Sequence, residues 1–192
     1  MLDARVRGVL ARLEAEDKRE AALARAERSL AIAPTTGTLL YALCTRRSRA
    51  EVLEIGGSRG YSTIWLGAAA RASGGHVRSL EADPRRLERA RANIADAGLA
   101  DWIDVLAGDA FETLPTLAGG FDLVFLDAWK HDYEGLFACV RPLLAPGAVV
   151  LADNVLSHAE TLASYSAARQ ADPLLRSVTI PLDSGLELTC VL

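Results

Sequence analysis

The stretch Glu51-Val52-Leu53-Glu54-Ile55-Gly56-Gly57-Ser58-Arg59-Gly60-Tyr61-Ser62 decides the fold. Its first five residues read as a short apolar strand, its glycines as a tight turn, and the residues from Tyr61 as the opening of a helix. The same texture recurs downstream. Strand-like runs at 76–80, 102–106, 121–126 and 148–152 are each followed by a helical pattern, at 84–97, 110–114, 133–141 and 160–170. Short apolar strands alternating with helices predict a parallel sheet covered on both faces. Past Pro173 the alternation stops, and 174–180 and 186–192 predict two strands joined by Pro181-Leu182-Asp183-Ser184-Gly185, a turn that suits an antiparallel hairpin.

Working outward to the N-terminus, residues 2–31 read as one helix. Leu2, Val6, Val9, Leu10 and Leu13 recur at helical spacing, and Leu23, Leu30 and Ile32 continue a weaker stripe. Pro34 ends this segment, and Thr35-Thr36-Gly37-Thr38 offers an N-cap to a second helix carrying Leu39, Leu40 and Leu43. The prediction is a doubly wound, Rossmann-like α/β domain over 34–192, with an N-terminal helical extension over 1–33 and a C-terminal antiparallel hairpin.

The chain has 192 residues, 51% hydrophobic and 24% charged, which fits one globular domain and excludes a disordered chain. A formal charge of −4 argues against nucleic acid or an anionic membrane as partner. No run approaches the ~18 to 20 apolar residues of a membrane span, and the N-terminus lacks a signal-peptide core, so a cytoplasmic protein is expected. Cys44, Cys139 and Cys190 are odd in number and form no CxxC pair, which points to small buried hydrophobes. Of twenty-one cationic side chains only Lys18 and Lys130 are lysines.

In a doubly wound sheet, ligands bind beyond the carboxyl ends of the strands. The turn at Gly56–Gly60 permits close backbone approach, and the helix start behind it favours a negative group. It matches neither a P-loop nor the full GxGxxG spacing. Glu81, at the end of the second strand, is placed to accept hydrogen bonds from ribose hydroxyls, while Asp83 reads as the cap of the helix opening at Pro84. Gly108-Asp109-Ala110 supplies a polar turn suited to an adenine. Asp127 ends the fourth strand, and Asp153-Asn154 ends the fifth. If these strands are neighbours, ~4.8 Å apart, three oxygen donors converge on one edge, a set that a hard divalent ion such as Mg²⁺ prefers. The competing reading makes Asp153-Asn154 a helix N-cap.

Lys130 lies three residues after Asp127 and points to the same edge. In a chain that uses arginine for nearly every exposed cation, a lysine here points to a need for a group that can give up its proton, a general base. Trp129 offers a wall for a flat substrate ring, whereas Tyr133 divides evenly between that role and core packing. His131 and His158 lie near the same edge without a pattern that makes them ligands.

Taken in order, VLEIGGSRGYS, SLEADPRRLERARANI, GDAFETLP, FDLVFLDAWKHDYEGLF, LLAPGAVVLADNV and SGLELTCVL resemble the class I S-adenosylmethionine-dependent O-methyltransferases. The nearest group is the cation-dependent one that includes catechol and caffeoyl-CoA O-methyltransferases. The resemblance implies a seven-stranded sheet with a reversed final hairpin. It implies that Glu54 and the Gly56 turn, with Ser58, Tyr61 and Ser62, hold the methionine part of the cofactor, Asp127 lying within reach of it. Glu81 would hold the ribose, and Asp109 with Ala110 the adenine. Asp127, Asp153 and Asn154 would be the metal ligands, Lys130 the base that takes the phenolic proton, and Glu187 a contact for the second hydroxyl of a catechol. The segment from Val155 to Pro173 is shorter than in plant-type members, which predicts an open pocket, and Ser58-Arg59 departs from the usual turn.

The reaction expected from this resemblance is methyl transfer to a hydroxyl of a small aromatic acceptor with divalent-metal assistance. Two alternatives stay open: a metal-independent methyltransferase of another small molecule, and a non-catalytic S-adenosylmethionine-binding protein. The N-terminal helices fall outside the firm match; they would either cover the site or pair two subunits as a homodimer.

Overall fold

The computed structural model describes residues 2–20, 22–23 and 31–192. Seven strands, β1 (Glu51–Ile55), β2 (His76–Glu81), β3 (Ile103–Ala107), β4 (Phe121–Leu126), β5 (Leu144–Asp153), β6 (Leu175–Ile180) and β7 (Leu186–Val191), form one sheet of order β3-β2-β1-β4-β5-β7-β6. The first five are parallel, while β7 runs antiparallel to both β5 and β6. The helices are α1 (Ala4–Glu20), α2 (Pro34–Thr45), α3 (Tyr61–Ser73), α4 (Pro84–Asp96), α5 (Ala110–Thr113), α6 (Tyr133–Val140) and α7 (Ala159–Ala171). The predicted doubly wound sheet with a terminal hairpin is therefore the observed one.

The central strands are mostly apolar because both of their faces are covered, Glu54 of β1 being a buried exception. Val52, Val77, Leu123, Phe125 and Leu151 face one layer with Ile64, Leu66 and Leu40. Leu53, Ile55, Leu80, Val124 and Leu126 face the other, with Tyr133, Phe137 and Tyr165. The chain winds outward from β1 to β3 and returns to β4 on the other side of β1. That reversal opens a crevice at the carboxyl ends of β1 and β4. Register then does the rest. Ile55 pairs with Leu126, and Leu126 with Ala152, so Gly56, Asp127 and Asp153, each one residue further on, stand abreast at this edge.

Four local readings need correction. The first helix stops at Glu20; Ala22 and Leu23 form a turn, Ala31–Ala33 are outside any helix, with Ala33 extended, and Leu30 lies outside the described residues. Apolar positions thin out after Leu13, and a helix with no face to bury gains little from propensity alone. Pro34 opens α2 rather than ending the segment before it, with Ala33 as N-cap and no capping side chain from the Thr35–Thr38 run. Proline suits this first position because its missing N–H would be unpaired there anyway. Trp102 belongs to a short 3-10 turn ahead of β3, and β5 begins at Leu144, with a register irregularity opposite Phe121 and Leu123.

The stripe of α1 is spent within the chain. Val6, Val9, Leu10 and Leu13 are buried in the same core as α3 and the sheet. Among the described residues no helix is long and apolar enough to cross a membrane.

Candidate active site

A cleft of about 910 Å³ runs along the carboxyl edge of the sheet, from Glu81, Asp109 and Phe111 on one side to Asp153, Asn154 and Ser184 on the other. Gly56, Ser58, Asp127, Trp129 and Lys130 line its middle, and Asp17, Ala31, Ile32 and Ala33 close over it from the N-terminal segment.

The glycine turn is built for close approach. Gly56 has φ +98°, and a Cβ there would lie 2.1 Å from the carbonyl oxygen of Asp127. No other residue fits so close to the end of β4. Ser58 also adopts a left-handed φ of 48°, a strained conformation of the kind that persists where its surroundings over-determine it. Its N–H donates to Glu81 Oε2 at 2.7 Å, and its hydroxyl accepts from Arg86 at 2.9 Å. Glu81 Oε1 accepts from the N–H of Asp83 at 2.8 Å, so the carboxylate is held from both sides at the cleft wall. Asp83 caps α4 through the N–H of Arg85, which holds its carboxyl below the usual range.

Glu54 lies beneath the turn, outside the cleft lining. It is fully buried, its Oε2 accepts from Thr63 and Ser79 at 2.5 Å each, and burial pushes its carboxyl up. It supports Gly57 from below, where a Cβ would strike Ser79 Oγ at 2.2 Å. Tyr61 and Ser62 reach a small cavity of about 20 Å³ behind the turn, shared with Leu13, Ile32 and Asp127. The Tyr61 hydroxyl donates to Glu14 at 2.7 Å, and Arg59 donates to both carboxylate oxygens of Glu20, fastening α1 to the turn. Asp109 caps α5 by accepting from the N–H of Phe111 at 2.7 Å, and Asp109, Ala110 and Phe111 all line the cleft.

At the other end, Lys130 is only 9% exposed. Its Nζ donates to Asp127 Oδ1 at 2.7 Å, to the Ala128 carbonyl at 3.0 Å and to the Tyr133 hydroxyl at 3.1 Å. Tyr133 is fully buried and its hydroxyl lies 3.1 Å from the carbonyls of Leu126 and Asp153, so it is core and a support for the lysine, not a substrate wall. Trp129 stands at the cleft 72% exposed. Asp153 is 3% exposed, and its carboxyl is pushed up to about 6 by burial and by the charge of Asp127. Burial and a neighbouring negative charge both favour the protonated form of the Asp153 carboxyl. Asn154 sits beside it at φ 67°, and α7 is capped at His158 instead, so the helix-cap reading of Asp153-Asn154 does not hold. Two carboxylates and an amide oxygen at one edge form a donor set that fits a hard divalent ion.

The structure does not bring Glu187 to the cleft. It is fully buried on β7, and its carboxylate accepts from Gln170, Ser177 and Thr179. The period-2 alternation of β7 aims this side chain at β6 and α7, so the GLE match alone misplaced it. His131 is exposed, while His158 lines the cleft. Ser184, which donates to Asp153 Oδ1 at 2.7 Å, went unseen because its segment carries only turn signals.

A profile of the methyltransferase domain family matches residues 53–155. The chain is 42% identical over 168 residues to the catechol O-methyltransferase of Mycobacterium tuberculosis (strain ATCC 25618 / H37Rv), a match covering 84% of this chain and 74% of that one. The O-methyltransferase TomG of Streptomyces achromogenes, involved in tomaymycin synthesis and solved with SAM, superposes with a TM-score of 0.82 at 29% identity, over 95% of this chain and 89% of that one. An O-methyltransferase of Bacillus cereus solved with SAH gives a TM-score of 0.82 at 28% identity, over 99% and 91% of the two chains. Sheet order, glycine turn and cleft thus define a Rossmann-like methyltransferase domain. The chain belongs to the class I S-adenosylmethionine-dependent O-methyltransferases.

Proposed function

We propose that the protein methylates a hydroxyl of a small, catechol-like aromatic acceptor, and that a divalent cation assists. The observation that carries this reading is the meeting of Asp127, Lys130, Asp153 and Asn154 at the adjoining ends of β4 and β5, beside exposed Trp129, in the cleft that also holds the glycine turn. The catechol O-methyltransferase relative supports the same acceptor class.

When bound, S-adenosylmethionine supplies a methyl group on a sulfonium, and the cation supplies positive charge that favours an ionised hydroxyl. Glu81 holds the ribose, Gly56 and Ser58 admit the methionine part, and Trp129 walls the acceptor ring. Asp127, Asp153 and Asn154 hold the cation. Lys130 takes the hydroxyl proton at Nζ, which Asp127 Oδ1, the Ala128 carbonyl and the Tyr133 hydroxyl hold in place. Most of the rate gain comes from holding donor and acceptor in line in a cleft shaped for both.

A second reading, a metal-independent O-methyltransferase, draws on that same ion pair, because the Lys130 ammonium already neutralises one of the two carboxylates. Methyl transfer to catechol, measured with Mg²⁺ and with a chelator, separates the two. Transfer that stops in chelator, and in Asp127→Ala with cofactor binding kept, supports the cation; turnover indifferent to chelator establishes the second reading in its place.

A further inference from the structure

We propose that Ser184, on the turn between β6 and β7, is a positioning residue that sets which oxygen of Asp153 faces the cation; this rests on the cation reading above. Asp153 is nearly fully buried, and two donors fall on the same oxygen: the Ser184 hydroxyl and the Asn154 N–H, each 2.7 Å from Oδ1. Two bonds on Oδ1 fix the carboxylate plane and leave Oδ2 for the cation.

The turn that carries Ser184 is itself fastened on two sides. On one side Asp183, held at a left-handed φ of 53°, accepts from the hydroxyls of Thr35 and Thr36 at 2.5 and 2.7 Å and from the N–H of Thr36 at 3.1 Å. On the other, the Ser184 carbonyl accepts from the N–H groups of Leu156 and Ser157 at 3.1 and 2.9 Å, and the Gly185 carbonyl from that of Val155 at 3.0 Å. Leu156 packs so closely on Gly185 that a Cβ there would lie 2.4 Å from it. The hairpin therefore grips the segment just after Asn154, which holds an uncommon φ of 67°, as well as Asp153 itself. One turn thus orients Asp153, the last residue of β5, and Asn154, which follows it. Partners of this kind tune the affinity of the groups they hold.

The test is Mn²⁺ binding to the protein without acceptor or cofactor, by titration calorimetry, for wild type, Ser184→Ala, Ser184→Thr and Asp127→Asn. The expected result is a ~10- to 100-fold weaker Mn²⁺ affinity for Ser184→Ala, the range that such outer partners command. Ser184→Thr, which keeps the hydroxyl, should bind nearly as wild type. Melting temperature and S-adenosylmethionine affinity of Ser184→Ala should stay unchanged. Wild-type Mn²⁺ affinity in Ser184→Ala overturns the inference, and so does a loss matched by equal losses of thermal stability and cofactor binding. If wild type takes up no Mn²⁺, or Asp127→Asn binds it as tightly, the cation reading itself falls and this inference with it.

Discussion

Lys130 is one of two lysines among twenty-one cationic side chains, and the structure gives that rarity a location: buried, with three hydrogen bonds, at the end of β4. Lys18, by contrast, lies in the last turn of α1, where a cation suits the helix dipole. An arginine at position 130 would keep the charge but not the exchangeable proton, and its planar fork does not fit a site that asks for one compact ammonium. Lys130→Arg should therefore lower kcat for catechol methylation at neutral pH by ~100-fold or more, the scale of a lost general base, while S-adenosylmethionine binding measured by calorimetry is unchanged. Near-normal turnover would mean that the scarcity of lysine is only compositional. Position 130 was legible in the sequence because three-residue spacing from a strand-ending aspartate leaves a side chain few places to go. Glu187 was not, since a carboxylate on a strand can point to either face, and the residues that take it inward, Gln170, Ser177 and Thr179, are themselves unremarkable in the sequence.

Among the elements, the β6–β7 hairpin and α2 depend on each other. The first turn of α2 has no capping side chain of its own, and Asp183 supplies the negative charge that its N-terminus favours. Partial burial pushes the Asp183 carboxyl up, but the hydrogen bonds from Thr35 and Thr36 outweigh it and hold the group below the ordinary carboxylate range. The sign follows from linkage: a carboxyl depressed in the folded state contributes stability that is fully present above its unfolded value, ~3.9, and is lost as pH falls through the lower folded value. Asp183→Asn keeps the left-handed backbone but not the charge. It should cost about 0.5–1 kcal/mol at pH 7, a drop of roughly 1–4 °C in Tm, and the gap from wild type should close as pH falls toward 3. A gap that is the same at both pH values would show that the charge contributes nothing.

For the molecule as a whole, α1 packs into the same core as α3 and the sheet. Its Val6, Val9, Leu10 and Leu13 sit in one cluster with α3 and the sheet, and Glu14 and Glu20 bind Tyr61 and Arg59 at the glycine turn. Burying those four side chains is worth roughly 1.5–3 kcal/mol each, against a net stability of only about 5–15 kcal/mol. Deleting residues 1–20 should thus abolish the cooperative thermal transition along with S-adenosylmethionine binding; a truncated chain that melts sharply and still binds would make α1 an appendage. The sequence by itself determined the alternating α/β fold, the reversed hairpin, the glycine turn, and the acids and lysine at the strand ends, because strand and helix periods are local and a strand's end fixes which side of the sheet its next residue joins. Only the tertiary structure decided that α2 is capped from 147 residues away, that Ser184 meets Asp153, that Glu187 turns inward and that α1 closes on the turn. Each of these is a contact between distant segments, set by how the layers pack and not by any pattern within a segment.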